Sequence, residues 1–159
     1  MSSETATSTN VETESSPGNW KAGVVGGLAG GLVFGAMMSM MMPMIMEMAI
    51  PVMYGIEGPA GAVGWSIHMV HAAILGVVFA AIVGFGGLAG ASAQKLVGVG
   101  IGYGLVVWIV LATFVMPAWV GAMSPEMTPP VPDVNPMSAI GHAVYGAILG
   151  AVYYALEGI

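Results

Sequence analysis

The sequence repeats itself: shifted by 74 positions, residues 20–84 align with residues 94–158 without a gap, giving 18 identities in 65 positions. A chain this rich in Gly, Ala, Val and Met would give roughly six by chance. The register places Lys21 on Lys95, Met42-Pro43 on Met116-Pro117, Pro51 and Met53 on Pro125 and Met127, and His68 on His142. Agreement in loops as well as apolar runs favours duplication over shared composition. Each copy carries two apolar runs, so the expected unit is a helical hairpin, present twice.

The runs, about 22–42, 65–87, 96–116 and 139–156, each reach the roughly 18 to 25 residues that cross a bilayer core. With 57% hydrophobic residues, 6% charged and a mean hydropathy of +0.90, the chain lacks the polar surface of a water-soluble globule. Lipid-exposed backbone must satisfy its own hydrogen bonds, and the runs lack barrel-like alternation, so each is predicted helical. The fold class is therefore all-α: a polytopic membrane four-helix bundle built from two parallel repeats of a transmembrane helical hairpin. A repeat with an even number of spans keeps its orientation, which predicts a pseudo-twofold along the membrane normal.

Residues 1–20 hold nine Ser/Thr and Glu4, Glu12 and Glu14 without a basic residue before Lys21. They read as a disordered acidic tail ahead of a transmembrane domain over 21–159. They do not read as a signal peptide, which needs a basic start and a cleavage site. Lys21 and Lys95 both precede odd-numbered spans, so the positive-inside rule predicts cytoplasmic N- and C-termini. The chain contains no Arg and no Cys, and its formal charge is −6. Nucleic acid and anionic headgroups are thus poor partners, and thiolate chemistry is excluded. The chain also lacks His-Glu-x-x-His, Gly-x-Ser-x-Gly and phosphate-loop motifs, so a non-enzymatic role is expected.

At 100° per residue Gly23, Gly27, Gly31 and Gly35 form a small-residue ridge on the first helix, with Gly26 and Gly30 beside it. Gly98/Gly102 and Gly100/Gly104 repeat the pattern on the third, predicting tight packing near the lysines. His68, Ala72, Gly76 and Phe79 share one helix face, and His142, Gly146, Gly150 and Tyr153 share its counterpart. Imidazole facing lipid would lose its hydrogen bonds, so both histidines should point inward. Met42 lies about 30 Å along its helix from Lys21, and His68 about 6 Å inside the next. The repeat then predicts a ring of two imidazoles and two thioethers near the outer membrane face.

Thioether and imidazole suit Cu(I), which makes His68, His142, Met42 and Met116, with His71 one turn from His68, the candidate metal ligands. The competing expectation for the histidines is a hydrogen bond to a neighbouring helix carbonyl or to Tyr145, Tyr103 or Ser66. Bis-histidine haem is weaker, since its propionates seek cations absent from that side. Most methionines of the 37–48 run have no Met counterpart in the second copy and read as flexible apolar filler. Glu47, opposite Gly121, reads as a solvated acid. Pro43 and Pro117 are expected to kink or end their helices.

The stretch His142-Ala-Val-Tyr-Gly-Ala-Ile-Leu-Gly-Ala-Val-Tyr-Tyr154, with a Gly-rich first span ending in Met-Met-Pro, resembles an uncharacterised family of small four-span membrane proteins common in halophilic archaea. It is more distantly similar to bacterial inner-membrane proteins ending in a His-x-x-x-Gly-x-x-x-Gly helix. The resemblance covers about residues 20–158 and implies a plasma-membrane location without assigning an activity. The leading expectation is an accessory or assembly subunit of a membrane complex, working in the lipid bilayer as a homo-oligomer or beside larger partners. A small copper-handling or transport protein is the alternative, and a haem-binding electron-transfer subunit the second.

Overall fold

The computed structural model describes residues 18–158, and every regular element among them is helical. Most of the acidic tail, residues 1–17, lies outside the described residues.

Helix α1, Trp20–Met41, starts at Asn19, whose Oδ1 accepts the Ala22 N–H at 3.1 Å and satisfies a free donor of the first turn. The Asn19 Nδ2 donates to the Leu156 and Glu157 carbonyls at 3.2 and 3.3 Å, and its N–H to the Tyr153 hydroxyl at 3.0 Å. The start of α1 is thereby tied to the end of the last helix, at the end of the bundle that also carries Lys21 and Lys95. α1 stops at Met42, one residue before Pro43, as expected of a proline that cannot donate. A π-helical turn, Ile45–Ala49, and a single turn of helix, α2, Ile50–Val52, cross the end of the bundle away from the lysines. Helix α3, Gly61–Phe85, then returns.

The third span is built from α4, Ala93–Val107, a π-helical segment, Trp108–Val115, and α5, Met116–Met123, and the fourth is α6, Pro136–Leu156. Four helices, Trp20–Met41, Gly61–Phe85, Ala93–Met123 and Pro136–Leu156, are long and apolar enough to cross a membrane. Three lie within about four residues of the expected runs. The third continues seven residues past Met116, so Pro117 does not end it; the α-helical ladder gives way to the π-helical segment, Trp108–Val115, just before the proline and resumes at Met116. Proline removes the N–H that would bond the carbonyl four residues back, here Thr113. In this chain that carbonyl accepts the Asp133 N–H at 2.9 Å from the loop before α6. The same exchange occurs at Pro51, where the Glu47 carbonyl accepts from Ala60 at 2.9 Å. Pro117→Ala should restore a competing intrahelical donor and loosen the loop, seen as faster protease cleavage within residues 128–135.

In space the helices run α3, α1, α6, α4: α1 packs on both α3 and α6, and α4 on α6. A strict twofold relating the copies would bring α3 and α4 together as closely as α1 and α6. They are not so packed; the seam between them is bridged by the Tyr103 hydroxyl donating to the Leu75 carbonyl at 2.7 Å and by the Phe79 and Tyr103 rings, 5.5 Å apart.

Glycine explains where backbones meet. Gly23 and Gly27 of α1 lie on the Gly76 and Ala72 carbonyls of α3, and Gly26 and Gly30 lie on Leu149 and Tyr145 of α6. Gly100 and Gly104 of α4 rest on the Gly146 and His142 carbonyls. α1 therefore uses two ridges and α4 one. Gly98 and Gly102, expected to form a second ridge, meet nothing within 4 Å, because they sit on the far side of α4 from Gly100 and Gly104.

Candidate functional site

At the end of the bundle away from the lysines, the seam between α3 and the third span widens into a chamber of about 340 Å³. Its size follows from the packing below it: glycines draw the helices together near the lysines, while Met, Phe, His and Trp side chains hold them apart here. The walls are chiefly aliphatic, with Phe34, Met38 and Met42 from the first span, Ala72, Ile74 and Leu75 from α3, and Val107, Leu111, Val115 and Val120 from the third. Asp133, Asn135 and Ser138 add polar atoms from the last loop and the start of α6.

All five residues singled out in the sequence, Met42, His68, His71, Met116 and His142, line this one chamber. They come from four separate segments. His68, 8% exposed, places Nε2 2.8 Å from the Gly31 carbonyl of α1. A carbonyl only accepts, so Nε2 carries the proton and the neutral ring keeps a lone pair on Nδ1. Of the two expected arrangements this is the bond to a neighbouring helix carbonyl; the hydroxyls of Tyr145, Tyr103 and Ser66 bond the Ala72, Leu75 and Ala62 carbonyls instead. His142 bonds its own helix instead, Nδ1 to the Ser138 carbonyl at 2.8 Å, which leaves the lone pair on Nε2. His71 Nε2 pairs with the Tyr54 hydroxyl at 2.6 Å, and Tyr54 stacks near Trp119 with centroids 5.5 Å apart. The two paired histidines thus differ in partner, tautomer and setting, as the departure of the helices from twofold packing requires.

Sequence reasoning missed Phe34. Its ring meets His142 edge-on at 4.7 Å and His68 at 5.8 Å, and it also fills the space over Gly141. Aligned with Trp108, it carried no signal beyond an ordinary apolar position. Tyr145, which the 74-residue shift places on His71, bonds neither histidine. Its hydroxyl donates to the Ala72 carbonyl at 2.8 Å, joining α6 to α3 as a strut beside the chamber. The Met53/Met127 pair divides, with Met53 on the chamber wall and Met127 off it. Glu47 is also off the wall. Among the described residues no three His, Cys, Asp or Glu side chains cluster closely enough to hold a metal by themselves.

Thr113 is buried on the π segment, 4% exposed, and its hydroxyl has no hydrogen-bond partner among the described residues. Thr113→Val keeps the shape and removes that unpaired group, so it should raise the thermal midpoint by an amount equivalent to about 1 kcal/mol.

Comparison with family models, curated proteins and solved structures gave no match for this chain.

Proposed function

We propose that this protein is a non-enzymatic plasma-membrane protein that holds a ligand in its outer chamber as an accessory subunit of a membrane complex. The carrying observation is the convergence of residues from four segments, including both repeat-paired sets His68/His142 and Met42/Met116, on one cavity. A wall that is mainly apolar with a few convergent polar groups is the usual character of a small-molecule site. In this reading the spans are two parallel hairpin repeats with both termini in the cytoplasm. The gathering of both lysines and both ends of the described chain at one end of the bundle supports that orientation. The open Gly98/Gly102 face of α4 supports contact with a further subunit or a second copy. Solubilisation in a mild detergent should bring larger membrane partners down with the chain. Recovery as an isolated monomer in every detergent tried would count against the accessory role.

A second reading, Cu(I) handling, is favoured by the way the histidines are tied. Metal-bound imidazoles usually donate their other ring N–H to a carbonyl, as His68 does to Gly31 and His142 to Ser138. Purified protein should then bind Cu(I), and His68→Ala with His142→Ala should lower the affinity by about 100-fold or more. Copper at background level in both proteins would sink this reading. Haem stands lower, because Phe34 occupies the approach between the imidazoles and the chamber wall includes no cation for propionates. A Soret band after haem supplementation would reverse that order.

A further inference from the structure

The polar atoms of the chamber are unevenly divided between hydrogen-bond donors and acceptors. The N–H of His68, the N–H of His142 and the O–H of Tyr145 are each spent on a helix carbonyl, at 2.8 Å in every case. What these two histidines retain is a ring lone pair apiece. Asp133 adds a carboxylate, which in its ionised form can only accept. Donors remain on Asn135, Ser138 and Trp119, and on the ring nitrogen of His71 that carries its proton, the Nε2 of that ring being paired with the Tyr54 hydroxyl.

Charge points the same way. The outer loops carry Glu47, Glu57, Glu126 and Asp133, whereas both lysines lie at the opposite end, beside the start of α1 and the α3–α4 turn. A chamber with one carboxylate on its wall, three more on the loops at the same end of the bundle and no cation among its lining residues draws positive charge. At about 340 Å³ it is far larger than a single ion and falls in the range of sites for organic molecules. Its flank lies where α3 and the third span fail to pack, and the rim residues Ile74 and Leu111 are 54% and 38% exposed. In a bilayer that flank faces acyl chains, so access is lateral.

We infer that the chamber takes an amphipathic cation: an apolar body lying against the aliphatic wall, with an N–H-bearing ammonium head directed to Asp133 and the imidazole lone pairs. The inference rests on the reading of the chamber as the ligand site and adds the class of ligand. An ammonium offers three donors to a wall rich in acceptors, and charge-assisted bonds of that kind are about twice as strong as neutral ones. A quaternary head keeps the charge and loses the donors, and an alkyl sulfate reverses the charge.

The test is equilibrium binding to the full chain in nanodiscs of uncharged phosphatidylcholine, with empty discs as the partition blank. Decylammonium, decyltrimethylammonium, decanol and decyl sulfate are the probes. Expected are saturable binding of decylammonium, about tenfold weaker binding of the quaternary analogue, and none of the sulfate. Asp133→Asn, of nearly unchanged shape, should weaken decylammonium about fivefold, and Ala112→Phe should block the chamber. Thermal unfolding of each variant verifies its fold, and Asp133→Asn decides the matter if Ala112→Phe does not fold. Decanol or decyl sulfate binding as tightly as decylammonium, with Ala112→Phe still blocking, would overturn the cation while leaving the chamber as a ligand site. Absence of saturable binding for all four probes would overturn both.

Discussion

Gly146→Val is expected to pull α4 away from α6 and to produce a large loss of stability. A Cβ at this position would run into the Gly100 carbonyl and the Gly104 backbone nitrogen, neither of which belongs to a flexible side chain. Lipid tails are as apolar as the helices, so association in the bilayer depends on close contact rather than on burial from water. Moving two backbones apart removes that contact along the whole seam. Overpacking of a rigid site costs about 3 kcal/mol at the upper end of its usual range, and this seam has no soft element to absorb the strain. Gly98→Val is the internal control. It lies on α4, the partner helix of this seam, but on the face away from α6, with nothing within 4 Å of its added Cβ, and should change stability by less than about 0.5 kcal/mol. Unfolding of both variants in the same detergent, followed by loss of helical signal or of protease resistance, checks the pair. A midpoint for Gly146→Val no lower than that of Gly98→Val would show that the seam does not hold the helices.

These two glycines also mark what the sequence could disclose. Span number and approximate limits were legible because a 20-residue apolar run in lipid has one backbone solution, and Gly ridges were legible because spacing by four aligns them. Which ridge meets which helix was not. Gly26/Gly30 and Gly100/Gly104 are repeat equivalents and look alike in one dimension. In the bundle both pairs face α6, and the relation expected between α3 and α4 does not form. A shared sequence pattern fixes local structure, whereas the choice of neighbour depends on the side chains in which the two halves differ. Pro117 illustrates the point: its effect depends on whether a distant donor reaches Thr113, and the Asp133 N–H that does so lies sixteen residues further along the chain.

The chamber was partly legible for the same reason. His68, His142, Met42 and Met116 stood out as recurring polar or soft residues at the end of the spans away from the lysines, and depth along each helix sufficed to bring them to one level. Their hydrogen bonds were not foreseeable, because His68 finds the Gly31 carbonyl only where Gly35 and Gly31 let α3 approach α1. Asp133 was hidden for a different reason. It lies in a loop with no helical period, and an acidic residue outside an apolar run reads as solvated until the chain is seen folding back over the third span.

Phe34→Ala tests whether the large rings at this end hold the chamber open in its present shape. Phe34 is 5% exposed and contacts both imidazoles as well as Gly141. In a water-soluble core, its truncation would remove both a transfer term and a cavity term, about 3 to 5 kcal/mol together. Within a bilayer the transfer term nearly vanishes, because the separated helix would expose the ring to lipid rather than to water. The cavity term stays: about 100 Å³ of lost side chain at about 24 cal/mol per Å³ gives about 2 kcal/mol. Phe34→Leu refills much of that space and should recover more than half of the loss. The intermediate size of the effect is itself informative. A loss near 4 kcal/mol would mean that the ring is sheltered from water in the folded state and meets water on unfolding, which would place this end of α1 outside the hydrocarbon core. A loss near zero would mean that His68 and His142 close over the gap. In that case the two imidazoles, no longer separated by Phe34, would stand where they could share one ligand.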